Sequence, residues 1–167
     1  MVKDSKVLLS LIALSALFLV AAVVRLTADN SRAAFEGVWR TVEVAVPGPR
    51  PQTFKPGATL AMFHGRHYSR VEVHAEDQRP MLKDPAVASA DELRAAWGPF
   101  VGEAGTYELS GGTVTMQALV AKNPAAMVNG ATSVYTFQRN GDTLTLTQIR
   151  TPSGAAAPVT VKLIRVE

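Results

Sequence analysis

Three histidines, His64, His67 and His74, fall close together in a 167-residue chain that has no cysteine. Imidazoles at such spacing suggest metal binding or acid–base chemistry. The missing cysteine removes thiolate zinc sites, cysteine nucleophiles, disulfides and the attachment point of a bacterial lipid anchor. On an extended strand His67 and His74 have opposite parity and face opposite sides, and no carboxylate lies at a matching spacing. No metal site is therefore expected. Val71 and Val73 mark what reads as the apolar face of this strand, and His67 and Ser69 share their parity. Both are expected to point inward as polar anchors for a ligand, or else to bond each other or a buried water. Tyr68, Arg70, Glu72 and His74 are then expected to face solvent. A lone inward histidine is also a haem ligand type, but no second feature supports haem.

Glu43 raises a question of register. Trp39 is odd-numbered whereas Val42, Val44 and Val46 are even, so one regular strand cannot turn both sets inward. Either a bulge intervenes, or Glu43 lines the interior near His67 as an acid–base partner. The cost of burying an unpaired carboxylate favours the bulge. No serine triad, P-loop or dinucleotide fingerprint is present, and no cofactor is expected.

These residues must be positioned by short strands. From Phe35 onward β-branched and aromatic residues alternate with polar ones, predicting strands at 37–46, 58–64, 66–74, 104–110, 112–121, 132–139, 142–149 and 158–166. Asn140-Gly141, Gly111-Gly112 and Gly65-Arg66 read as tight hairpin turns. One segment departs from this pattern. Ser89-Ala90-Asp91-Glu92 is a capping box, and Leu93, Trp97 and Phe100 follow on one helical face, which predicts a short helix that buries Trp97. Consecutive hairpins make a meander, and eight strands can close on themselves. The fold class is thus all-β: an eight-stranded antiparallel up-and-down barrel with one inserted short helix.

Charge and hydropathy divide the chain. Val7 to Val24 is apolar except for Ser10 and Ser15, with Lys3 and Lys6 before it and Arg25 after it. This predicts an N-terminal hydrophobic helix, so residues 1–28 are read as a signal peptide or a membrane anchor and residues 29–167 as the exported domain. Membrane contact is expected only through residues 7–24, if they are not cleaved. The domain itself holds 14 basic and 13 acidic side chains. That near balance, without a basic stripe, argues against a nucleic-acid partner.

Phe35-Glu36-Gly37-Val38-Trp39-Arg40 carries a Gly-x-Trp opening. Met62-Phe63-His64-Gly65-Arg66-His67-Tyr68-Ser69-Arg70, Gly105-Thr106-Tyr107-Glu108, Val114-Thr115, Asn123-Pro124 and Gly141-Asp142-Thr143-Leu144-Thr145-Leu146-Thr147 follow in order. Together, over about residues 35 to 166, the chain resembles the bacterial lipocalin-like domain family, a calycin-type barrel. The resemblance implies a small lipocalin-like antiparallel barrel and no settled activity. It also implies structural roles for Gly37 and Trp39, with a late arginine stacked on the tryptophan. On the last strand Val159, Val161, Leu163 and Arg165 share one parity, so Arg165 is expected to be that arginine. Met116 and Gln117 stand where many relatives carry histidine after Val-Thr, and Val134 where many carry arginine. The cavity is therefore expected to be more apolar than most.

The expected inward set is Leu60, Met62, Tyr107, Met116, Tyr135, Phe137, Leu144 and Leu146. The leading functional expectation is a small hydrophobic molecule held in the barrel. His67 and Ser69 would anchor it, with Met62, Tyr107, Met116, Tyr135 and Glu43 around it. The alternatives are an isomerase- or cyclase-type enzyme using His67, and an envelope interaction module with a filled core.

Overall fold

In a computed structural model the described residues are 32–128, 130–154 and 158–167. The segment read as a signal or anchor lies outside them. Among the described residues no helix is long and apolar enough to cross a membrane.

Among the described residues nine strands form one antiparallel sheet: β1 (Gly37–Val46), β2 (Gln52–Phe54), β3 (Thr59–His64), β4 (His67–Val73), β5 (Phe100–Ser110), β6 (Thr113–Ala121), β7 (Ser133–Asn140), β8 (Thr143–Arg150) and β9 (Thr160–Arg165). Each of β3 to β8 pairs with the next, β1 pairs with β3, and β1 also pairs with β9. The last pairing closes β1 and β3–β9 into the expected eight-stranded barrel. β2, which the sequence pattern did not announce, is a three-residue flap on the end of β1.

The two barrel ends differ in their loops. Gly65-Arg66, Gly111-Gly112 and Gly141-Asp142 turn tight hairpins at one end, and Gly141 has φ +58°, where a Cβ would be strained. The longer connections gather at the other end, including the helix α1 (Ala90–Trp97). Ser89 caps α1 by accepting from the Glu92 amide, and the Glu92 carboxylate accepts from the Ser89 amide, completing the capping box. Ala96 is the buried residue of α1, while Trp97 is 51% exposed against Phe100 and the Arg79 guanidinium. The expectation that the helix buries Trp97 is corrected: Ala96 is the side chain of α1 that is buried.

Trp39 organises the tight end. It is fully buried, and its indole Nε1 donates to the Phe35 carbonyl at 3.0 Å. Phe35 packs in turn on Phe63, Tyr107 and Phe137. The Arg165 guanidinium lies 4.7 Å from the Trp39 ring centroid and donates to the Glu36 carbonyl at 2.6 Å. A Cβ at Gly37 would come within 2.7 Å of Arg165 Nη1, so the guanidinium reaches the ring only across a glycine. Arg165→Ala is expected to destabilise by about 2 kcal/mol, from the lost cation–π contact and charged hydrogen bond. A drop of several degrees in Tm checks this, and an unchanged Tm counts against the pairing.

The interior register follows from Trp39. Residues directly opposite one another on neighbouring strands share a face. Trp39 faces Ala61, Ala61 faces Arg70, and Arg70 faces Glu103, so all four side chains point inward. This corrects the expected parity of β3 and β4. Ala61, Phe63, Tyr68 and Glu72 are buried, whereas Leu60, Met62 and Val71 are 43%, 44% and 47% exposed. The valines of β4 belong to an apolar ridge on the outside, beside Leu60 and Met62. On β1 the pairing with β9 shifts between Thr41 and Glu43, so a bulge turns Trp39, Thr41 and Val44 inward together.

Candidate functional site

Inverting β4 brings charged and phenolic groups into the long-loop half of the barrel. The Arg70 Nε lies 3.0 Å from the Glu103 carboxylate, and the Tyr68 hydroxyl donates to the same oxygen at 3.2 Å. Glu72, on the next inward position of β4, is 3% exposed. Its carboxylate accepts from the Thr41 hydroxyl at 3.0 Å and bonds His74 Nε2 at 2.7 Å. From β7 and β8, the Gln148 amide donates to the Tyr135 hydroxyl at 3.3 Å.

Below these groups the barrel is filled. Arg70, Glu72, Met116 and Tyr135, with Ala61, Phe63, Leu146, Val161 and Leu163, enclose a space of about 10 Å³. That is the room of a single water molecule.

The cluster holds its charges. Burial acts against an ionised Glu72, yet the His74 bond, the Arg70 guanidinium and the Thr41 hydroxyl keep its carboxyl below the ordinary 4.5. Burial also opposes the Arg70 charge, but Tyr135, Glu103 and Glu72 outweigh it and raise the pKa of the guanidinium. Burial and the Glu103 carboxylate push the Tyr68 phenol up, so it stays protonated and donates. Removing both charges from water costs several kcal/mol per ion, offset only by close pairing and by hydrogen bonds to the remaining atoms.

The Glu72 shift fixes a pH dependence. The unfolded chain binds a proton at Glu72 more readily than the folded one, so the stabilisation is complete above about pH 4.5. It is lost as pH falls through the lowered folded value. Acid unfolding followed from about pH 5 to pH 3 is expected to be shallower in Glu72→Gln than in the wild type. Parallel curves would show that Glu72 does not carry the acid sensitivity.

The residues expected to form a site are only partly together. Tyr107, Met116 and Tyr135 are buried in the interior. His67 is exposed, Ser69 half-buried and Met62 exposed, all on the outer face. Glu43 also points outward, with Lys162 Nζ 3.7 Å from its carboxylate, so the Glu43–His67 couple is not formed. The physical reason is the Trp39 register, which sends the valine face of β4 outward. His64 and His67 pair across the hairpin on that same outer face, with His74 at the other end of β4. Among the described residues no group of three metal-ligating side chains occurs. The inward residues missed by sequence reasoning are Tyr68, Arg70, Glu72, Glu103 and Thr41. The pairing from Trp39 through Ala61 to Arg70 would have found them, had the register been known.

No family model and no curated protein matches the chain. Among solved structures it is similar to a lipocalin-like protein from Bacteroides uniformis, at 12% identity and TM-score 0.45, covering 79% of this chain and 98% of that one. It is also similar to an uncharacterized protein from Bacteroides eggerthii, at 13% identity and TM-score 0.43, covering 78% and 98%. The closed antiparallel order of β1 and β3–β9 gives the chain a lipocalin-like, calycin-type barrel fold.

Proposed function

We propose that this barrel is a small-molecule binding protein that takes its ligand at the long-loop end. In this reading Arg70, rather than His67 or Ser69, is the polar anchor. The observation that carries it is the inward guanidinium, which borders the enclosed space together with Glu72 and Tyr135. Its Nε lies 3.0 Å from the Glu103 carboxylate without a hydrogen-bond partner, and among the described residues no hydrogen bond engages the two terminal nitrogens either. An oxygen-bearing head group would displace the one water that fits and accept from those nitrogens. The apolar remainder of the ligand would extend toward the long loops.

Two measurements test this reading. Native mass spectrometry of protein purified from its own cells should find a co-purifying molecule that is lost in Arg70→Lys, which keeps the charge but not the planar fork. Calorimetric titration with a straight-chain carboxylic acid should show binding about tenfold weaker in the same variant. Ligand-free protein from every preparation, together with no binding in the titration, would overturn the reading.

A second reading is favoured by the size of that space. An interior with room for only one water also suits an interaction module whose core is simply filled, and the overturning result above would select it. Export by residues 1–28 belongs to the same proposal, supported by the apolar run Val7–Val24 between basic residues. Mass spectrometry of the mature N-terminus distinguishes a cleaved signal from an anchor.

A further inference from the structure

The outer rim of the long-loop end carries a second arrangement, joined to the barrel interior through Glu72. Glu72 is buried with its carboxylate held by Thr41, and its Oε2 bonds His74 Nε2 at 2.7 Å. An ionised carboxylate can only accept, so in the neutral imidazole Nε2 carries the proton and Nδ1 is left with a lone pair. Among the described residues nothing donates to Nδ1. The ring is 32% exposed and borders an open cleft of about 560 Å³ between β2 and the segment after β4. Pro51, Gln52, Thr53, Phe54, Ala75 and Glu76 form the rest of its wall. The Phe54 ring meets the imidazole edge-on, with centroids 5.9 Å apart.

This cleft presents a fixed acceptor backed by a buried negative charge, beside one aromatic wall. The carboxylate behind the imidazole fixes its tautomer and disfavours an anion in front of it. A neutral hydroxyl can donate to the Nδ1 lone pair without that repulsion. A flat ring on that hydroxyl can lie against Phe54.

We propose that the cleft between β2 and the end of β4 is a binding site for a phenol-class ligand, its hydroxyl donating to His74 Nδ1 and its ring packed on Phe54. Glu72 acts through His74 by holding its tautomer, and is a positioning residue.

The probe is 4-nitrophenol added to the full chain. Its absorbance should change saturably as the hydroxyl becomes hydrogen-bonded, and the His74 Nδ1 resonance should move with the same concentration dependence. His74→Phe should weaken binding at least about tenfold, and Phe54→Ala about threefold. Phe54 lies on the three-residue flap outside the closed barrel, so its removal tests the site without touching the core. 4-Nitroanisole, with the same ring but no hydroxyl proton to donate, should bind more weakly than the phenol. Absent saturation, full binding in folded His74→Phe, or equal binding of 4-nitroanisole overturns the proposal. So does competition between the phenol and the carboxylic acid titrated into the barrel, since that result would place the phenol at Arg70.

Discussion

Trp39→Ala is expected to lower the unfolding free energy by about 3–5 kcal/mol, the usual loss when a fully buried tryptophan is truncated. The indole fills the tight end of the barrel, bonds the Phe35 carbonyl and lies under the Arg165 guanidinium. Truncation leaves a cavity among Phe35, Phe63, Leu144 and Leu163, all in the same buried cluster, and strands a guanidinium that Gly37 was small enough to admit. A domain of this size has about 5–15 kcal/mol in total, so the variant should be marginal. Denaturant unfolding measures the loss. A change below about 1 kcal/mol would mean that the aromatic cluster closes the end without the indole.

The second large effect concerns the pair inside the long-loop end. Arg70→Met should destabilise by about 3 kcal/mol, because it leaves Glu103 with the Tyr68 hydroxyl alone and removes a cation that favours ionised Glu72. The lower end of the range for broken buried pairs applies, since Arg70 and Glu103 retain 22% and 15% exposure. In the double variant Arg70→Met, Glu103→Leu most of this loss should be recovered, as expected when two residues share one interaction. Additive losses in denaturant titrations would show instead that the two side chains are stabilised separately. Recovery of stability with continued loss of ligand would separate the binding role of Arg70 from its structural one.

The two predictions differ in how far the sequence foretold them. Gly37, Trp39 and Arg165 were legible because a motif, a parity and a late arginine agreed. The capping box at Ser89 and the hairpin at Gly141 were legible because both depend on residues within a few positions of each other. The bulge between Thr41 and Glu43 was legible from a conflict of parity on one strand. Arg70 was not, although its strand was delimited to within a residue at either end. On β4 the alternation His-Tyr-Ser-Arg-Val-Glu-Val offers two faces, and the β-branched residues make the wrong one look apolar. Elsewhere the rule held: Tyr107, Met116, Tyr135, Leu144 and Leu146 are inside.

The sequence by itself determined every strand but β2, the order of the turns and the all-β class, through local backbone preference and alternation along single strands. The structural role of the indole was what the family resemblance implied. The tertiary structure decided which face of β3 and β4 is the inside, because that depends on which residue of one strand lies opposite which residue of another. A shift of one residue in that register exchanges every inward side chain for its neighbour. Through it His67 and Ser69 moved to the outer face, and Arg70, Glu72 and Glu103 turned inward.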